Sequence, residues 1–330
     1  YARDVILSIT KEISFLLESL IEHGRNHIDS VMPGYTHHRK ATLTSWGHWC
    51  GSYIQGLLRD AQAFKELFNR VNTCPLGAAA SYGTTWPLQR EVVAKLLGFD
   101  SVQENTLDAV MPRGEAEAEV VHLLALLLKR LSTIAQDLIL FSTDEFGFIQ
   151  LPSDFTTGSS IMPQKRNPDF AEAIKGKAHV VLGYAQSLVS MNSGNLSGYN
   201  KDVQWSKYLF MDAVRETAGA ARIMAEVFSG IQVNTEKMVS QKQYPDTIWH
   251  LVHLEYSFFG LDGLDSMASL TTRALASPAA KMMATVFGLW VIVSRPMVMT
   301  CLWRATSIPP RSIAAAACVS KLVGVSRVVE

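Results

Sequence analysis

Between Glu115 and Phe141 the sequence carries a helical pattern with almost no polar face. Val120, Leu124, Leu127, Leu131, Ile134, Leu138 and Phe141 follow alternating four and three spacing, and Val121, Ala125, Leu128, Ala135 and Ile139 form a second apolar stripe beside the first. A helix with two adjacent apolar stripes has little left to show to water. The pattern therefore predicts a central helix inside a bundle, touching several other helices, some of them from other subunits. At 1.5 Å rise per residue it is about 40 Å long, and it carries no catalytic residue of its own.

The flanking sequence extends the same architecture. Residues 5–30 place Ile9, Ile13, Leu16, Leu17, Leu20 and Ile21 at helical spacing, ahead of a loop with Pro33 and Gly34. A second helix is expected from Ser45 to Val71, stopped by Asn72 and Pro75, and two more over Pro168–Met191 and Lys201–Ser229. No stretch before residue 235 reads as a strand. The fold class expected is all-α, a long-helix bundle, with chemistry on the loops between helices.

Composition narrows the functional classes. Of 330 residues, 48% are hydrophobic and 18% charged, which excludes an intrinsically disordered chain. Thirty basic residues balance thirty acidic ones, so no general electrostatic pull toward nucleic acid or an anionic membrane exists. Cys50, Cys74, Cys301 and Cys318 form no Cys-x-x-Cys pair, which argues for free thiols and a cytoplasmic setting. The longest apolar run, Met282 to Val293, is too short to span a bilayer. Tyr1 opens the sequence where a methionine would open a whole one, so the chain reads as a fragment. After Met238 the character changes: over 281–330, Lys281, Arg295, Arg304, Arg311, Lys321 and Arg327 stand against one acid, Glu330, without a nucleic-acid-binding motif. Two regions are expected, a helical-bundle domain over 1–236 and a divergent C-terminal region over 237–330.

Three polar loops interrupt this apolar chain. PGYTHHRKA at 33–41 holds adjacent His37 and His38, a poor arrangement for a metal on one helix face, and no metal site is expected. TTGSSIMPQKRNPDFAE at 156–172 combines glycine, hydroxyls and backbone amides with Lys165 and Arg166, and Pro168 then opens a helix. That make-up suits carboxylates, but it lacks both the phosphate-binding Gly-x-x-x-x-Gly-Lys pattern and the Gly-x-Ser-x-Gly elbow. SGYNKDVQWSK at 197–207 offers Tyr199, Gln204 and Lys207 as donors.

TTGSSIMPQKRNPD resembles the mobile loop of the fumarase/aspartase superfamily. MPQKRNPD, VMPGYTH, GHW at 47–49, NTCPLGAAASYGTTWPLQRE at 72–91, DEFGFIQLP at 144–152 and YNKDVQ at 199–204 together resemble argininosuccinate lyase. The likeness runs from residue 1 to Met238. It implies cleavage of a C–N bond by anti elimination, argininosuccinate giving arginine and fumarate, without metal or organic cofactor. It also implies a dicarboxylate-type small-molecule substrate and a homotetramer whose sites borrow loops from three subunits.

By motif position the resemblance assigns Ser159 as the base that removes the proton next to a carboxylate. Ionising a hydroxyl about six units above neutral costs roughly 8 kcal/mol, which Lys165 and loop amides must offset. Lys165 and Asn167 match positions that hold the substrate carboxylate and the developing dianion. His37 matches the group that helps protonate the departing nitrogen, and Glu172 its carboxylate partner. Thr36, Tyr199, Gln204 and Lys207 match substrate contacts, and Arg113 is what survives of a further substrate-binding motif in DAVMPRGE.

The sequence also departs from the family. A loop resembling S-R-N-D-Q is expected upstream of the first long helix and does not occur in it. Trp205 and Ser206 stand where acids are usual, and HRKATL follows PGYTH where a leucine and glutamine are usual. Two alternatives stay open: a catalytically silent structural relative, as the lens crystallins of this family are, and a superfamily lyase with another amine leaving group.

Overall fold

The computed structural model describes residues 1–191 and 193–241. Within them the structure is a bundle of long helices: α1 (Ala2–Asn26), α2 (Trp46–Val71), α3 (Arg90–Leu96), α4 (Glu115–Phe141), α5 (Asp169–Ser190), α6 (Ser206–Thr217), α7 (Ala220–Gly230) and α8 (Thr235–Ser240). The all-α expectation holds. Residues 237–241, assigned by sequence to the C-terminal region, complete α8 and its C-cap, and Met238 is fully buried. The remainder of that region, 242–330, with its apolar run and basic excess, lies outside the described residues.

Helix directions follow from the contacts at their ends. Arg3 on α1 donates to Asn72 just past α2 (2.7 Å), while Gly24 packs on Cys50, so α1 and α2 are antiparallel. Arg70 near the end of α2 pairs with Glu119 near the start of α4 (3.3 Å), and Trp49 packs on Phe141 with ring centroids 6.1 Å apart. Lys175 early in α5 donates to Gln136 late in α4, and Ser206 at the start of α6 reaches Glu117 (3.4 Å). Two ends result. One holds the α1–α2 turn, the α4–α5 connection and the end of α7; the opposite one holds residues 72–114 and 193–205.

At the centre, α4 buries both stripes against α2, α5 and α6, with Val120, Val121, Leu124, Leu128, Leu131, Ile134 and Leu138 fully inaccessible. Asp60 and Arg130 form a two-point ion pair joining α2 to α4 (2.6 and 3.0 Å), and Asp137 accepts from Trp49 and Tyr53 (both 2.9 Å). Arg130 and Asp137 on the central helix are thus satisfied by α2.

Two expectations need correction. The segment expected as one helix over 201–229 is a 3-10 turn (Asp202–Trp205) followed by α6 and α7, which separate at Ala218–Gly219. Gly219 adopts φ 78°, and its N–H donates to the Glu12 carboxylate (3.1 and 3.2 Å), which tethers the break to α1.

The second correction concerns strands. Val31–Thr36 (β1) and Arg39–Ser45 (β2) form an antiparallel hairpin between α1 and α2. Pro33 and Gly34 argue against a strand, yet the ladder absorbs both through a register shift between Pro33 and Tyr35. Gly34 permits the close approach, since a Cβ there would lie 2.9 Å from the Thr42 carbonyl oxygen. Short ladders also link Thr73–Cys74 (β3) with Ser101–Val102 (β4), Ile149–Gln150 (β5) with Gln232–Val233 (β8), and Thr157–Gly158 (β6) with Arg166–Asn167 (β7).

Beside the β1–β2 hairpin, His23 is buried against Trp46 and Phe228 (ring centroids 5.9 Å from each) and His27 (5.0 Å). Its Nε2 and the Trp46 Nε1 have no hydrogen-bond partner among the described residues. Burial first, then the neighbouring His27, pushes the His23 pKa down from 6.5 to about 4. The unfolded chain then binds a proton that the folded chain refuses, so stability falls as pH drops from about 6.5 to about 4. After allowing for solvent screening the loss is about 2 kcal/mol. Burial shifts His27 and His48 in the same direction. Urea unfolding of His23→Leu is expected to lose part of the slope between pH 7 and pH 4.5; an unchanged slope excludes His23 as its source.

Candidate active site

The β6–β7 hairpin carries the first group of candidate residues. Thr157 pairs with Asn167 and Gly158 with Arg166, so Ser159 and Lys165 are the next residues on either side of the loop. Six positions apart in sequence, they are brought to the same level by the ladder. The Ser159 Oγ accepts from the backbone N–H groups of Met162 (3.1 Å) and Ile161 (3.3 Å). Those amides turn the loop and strengthen if the hydroxyl ionises, because a charged acceptor draws harder on N–H donors. The Lys165 side chain is exposed and makes no hydrogen bond or ion pair among the described residues, while its backbone N–H donates to the Met162 carbonyl (3.0 Å) and Asn167 is half-buried. Pro168 then starts α5, which puts Asp169 and Glu172 in its first turn.

The β1–β2 hairpin carries the second group at the same end of the bundle, where Tyr35 packs on Phe146 (5.6 Å). Thr36 pairs with Arg39, leaving His37 and His38 as a two-residue turn with φ of 53° and 58°. Left-handed geometry at both central residues suits the twist of a tight hairpin and normally calls for Asn-Gly. Here it holds His37 exposed at the apex. His38→Gly relieves one strained position and is expected to raise stability by about 1 kcal/mol, read as a higher urea midpoint; a lower midpoint excludes strain at His38. Among the described residues no hydrogen bond or ion pair joins His37 to Glu172.

The third group lies at the opposite end. Arg113 precedes α4, with its guanidinium carbon 5.9 Å from the centre of the Tyr199 ring. The Gln204 side chain donates to the Tyr199 hydroxyl, and Lys207 in the first turn of α6 lies 5.0 Å from the Tyr208 ring centre. Tyr82, given no role by sequence, donates to the Ser197 carbonyl (3.2 Å) beside Gly198, whose φ is 114°. Its presence in the ASYG segment was legible, but its role as a pin for the 197–204 loop was not.

One chain therefore splits the candidates. Thr36, His37, Ser159, Lys165, Asn167 and Glu172 stand at one end of α4, and Arg113, Tyr199, Gln204 and Lys207 at the other. The 27 residues of α4 hold them apart by about 40 Å. No side-chain motion spans that distance.

The sequence matches the family described as lyase over residues 2–183. The chain belongs to the lyase family. Its similarity to argininosuccinate lyases is substantial: 39% identity over 243 residues with that of Acetivibrio thermocellus, covering 74% of this chain and 53% of the relative. With the argininosuccinate lyase of Nitrosococcus oceani, identity is 42% over 238 residues, covering 72% and 51%. The lyase chain thus spans about half the length of these curated relatives. Among solved structures, EDDS lyase in complex with formate superposes with a TM-score of 0.64 at 31% identity, covering 72% of this chain and 47% of that one. A class II fumarase from Schistosoma mansoni gives 0.66 at 18% identity, covering 72% and 55%, a likeness of fold alone. These matches bear out the resemblance to argininosuccinate lyase and the superfamily fold. No group of acidic, histidine and cysteine side chains among the described residues of this lyase chain is arranged to hold a metal. No described helix is long and apolar enough to cross a membrane.

Proposed function

We propose that the assembled protein cleaves argininosuccinate to arginine and fumarate by anti elimination. The observation that carries this is the β6–β7 hairpin, which sets Ser159 and Lys165 at one level with two backbone amides already on the Ser159 oxygen. Ser159 removes the proton from the carbon beside the carboxylate. The electron pair moves toward that carboxylate, where Lys165 and Asn167 balance the extra charge, and the C–N bond then breaks on the opposite face. His37, oriented by Glu172, returns a proton to the departing nitrogen. Thr36, Arg113, Tyr199, Gln204 and Lys207 bind the rest of the substrate.

This chemistry needs more than one copy of the chain, and a homotetramer with shared sites meets the need. Support comes from the 40 Å division and from α5, whose outward face carries Ala173, Gly176, Val180 and Gly183. A Cβ at Gly176 or Gly183 would meet nothing within 4 Å in the same chain. Mid-helix glycines cost about 1 kcal/mol each relative to alanine, and here a neighbouring helix from another copy supplies the reason. Residues 1–236, with the rest of α8 to Ser240, form the bundle domain of this assembly. The buried thiols Cys50 and Cys74 suit a cytoplasmic protein.

The test is fumarate release by purified full-length protein from argininosuccinate, with adenylosuccinate and aspartate in parallel. Release from argininosuccinate alone is expected. Turnover of another substrate favours a superfamily lyase with a different amine, and no turnover favours the structural relative.

A further inference from the structure

We infer that Thr157 and Asp169 form a latch that seats the Ser159 hairpin on the first turn of α5, making both positioning residues for the elimination proposed above, on which their catalytic importance rests. The two arms of the loop close stepwise toward Ser159. Phe155 meets Phe170 edge to face, with ring centroids 6.3 Å apart. Next, the Thr157 hydroxyl donates to the Asp169 carboxylate. The ladder pairs Thr157 with Asn167 and Gly158 with Arg166, and Ser159 and Lys165 follow. The ring pair is apolar and undirected, and the ladder is two residues long, too short to hold by itself. The hydroxyl–carboxylate contact is the directional side-chain bond between the arms.

Asp169 is well placed for this task. It is the first residue of α5, where the positive end of the helix dipole stabilises a carboxylate. The α5 N-cap is Pro168, which makes no side-chain cap, and the Asp169 carboxylate binds the loop. Both latch residues are exposed, so the bond adds little to global stability. Its effect is local: it keeps Ser159 and Lys165 in register with α5 and with Asn167, and misplacing such groups by about 1 Å is enough to cost up to a hundredfold in rate.

Thr157→Val removes the donor and keeps the shape; Thr157→Ser keeps the donor. In the full-length protein, Thr157→Val is expected to speed amide hydrogen exchange at residues 157–158 and 166–167 by about tenfold or more, and to lower kcat by about tenfold with KM and the thermal midpoint unchanged. Thr157→Ser restores the parent values in both measurements. Asp169→Ala combined with Thr157→Val is no worse in exchange than the worse single variant, as for two partners of one bond. Unchanged exchange in Thr157→Val, or equal impairment in Thr157→Ser, overturns the latch. If the parent releases no fumarate the lyase proposal fails, and the exchange comparison still decides whether the latch exists.

Discussion

Ser159→Ala in the full-length protein is expected to lower kcat for fumarate release by about a thousandfold or more while KM moves only a few-fold. The hydroxyl oxygen is the only atom removed. In the structure it accepts from two amides of its own loop, so the helical bundle has no reason to change. What is lost is the acceptor for the substrate proton. Lys165, at the same level of the hairpin, carries charge of the wrong sign to serve as the base while protonated, so no neighbouring group takes over. A kcat within tenfold of the parent removes Ser159 from the role of base.

Gly183→Leu is expected to have the next largest effect, by a different route. Gly183 is exposed in the second half of α5, with no neighbour within 4 Å of a Cβ. In an isolated chain, leucine there has room and improves helix propensity by nearly 1 kcal/mol. Helicity by circular dichroism should therefore hold or rise. If a helix of another copy packs there, the larger side chain forces the surfaces apart. Light scattering should then report dissociation of the proposed tetramer, and activity should fall by about a hundredfold or more. Gly183→Ala, a much smaller intrusion, should retain most assembly. A Gly183→Leu tetramer with normal activity places the interface elsewhere.

What was legible in the sequence follows the range of the forces involved. α2 could be read because Ser45, which caps the His48 N–H, and Asn72 mark its ends. α4 could be read because its apolar positions hold one period for seven turns, and α5 because Pro168 announces it. The hairpin at 31–45 was hidden because Pro33 and Gly34 look like breakers in isolation; only pairing with β2 turns them into a bulge. The break at Gly219 was hidden because a single glycine among alanines is tolerated in a helix, and the Glu12 carboxylate that fixes it comes from 207 positions away. Motif matching nominated every candidate site residue. Their partition between two ends is a product of helix direction, which no local pattern encodes.

That partition is also the point most open to direct test. Ser159→Ala damages the hairpin end of the chain, and Lys207→Met damages the opposite end. Each variant alone should be nearly inactive in fumarate release. Denatured together and refolded, they form mixed assemblies in which some sites receive an intact hairpin end from one copy and an intact opposite end from another. Recovery of a substantial share of parental activity in the mixture, with none in either variant refolded alone, is the expected result. A mixture as inactive as its components, once mixed assemblies are verified by native mass spectrometry, contradicts a site shared between chains.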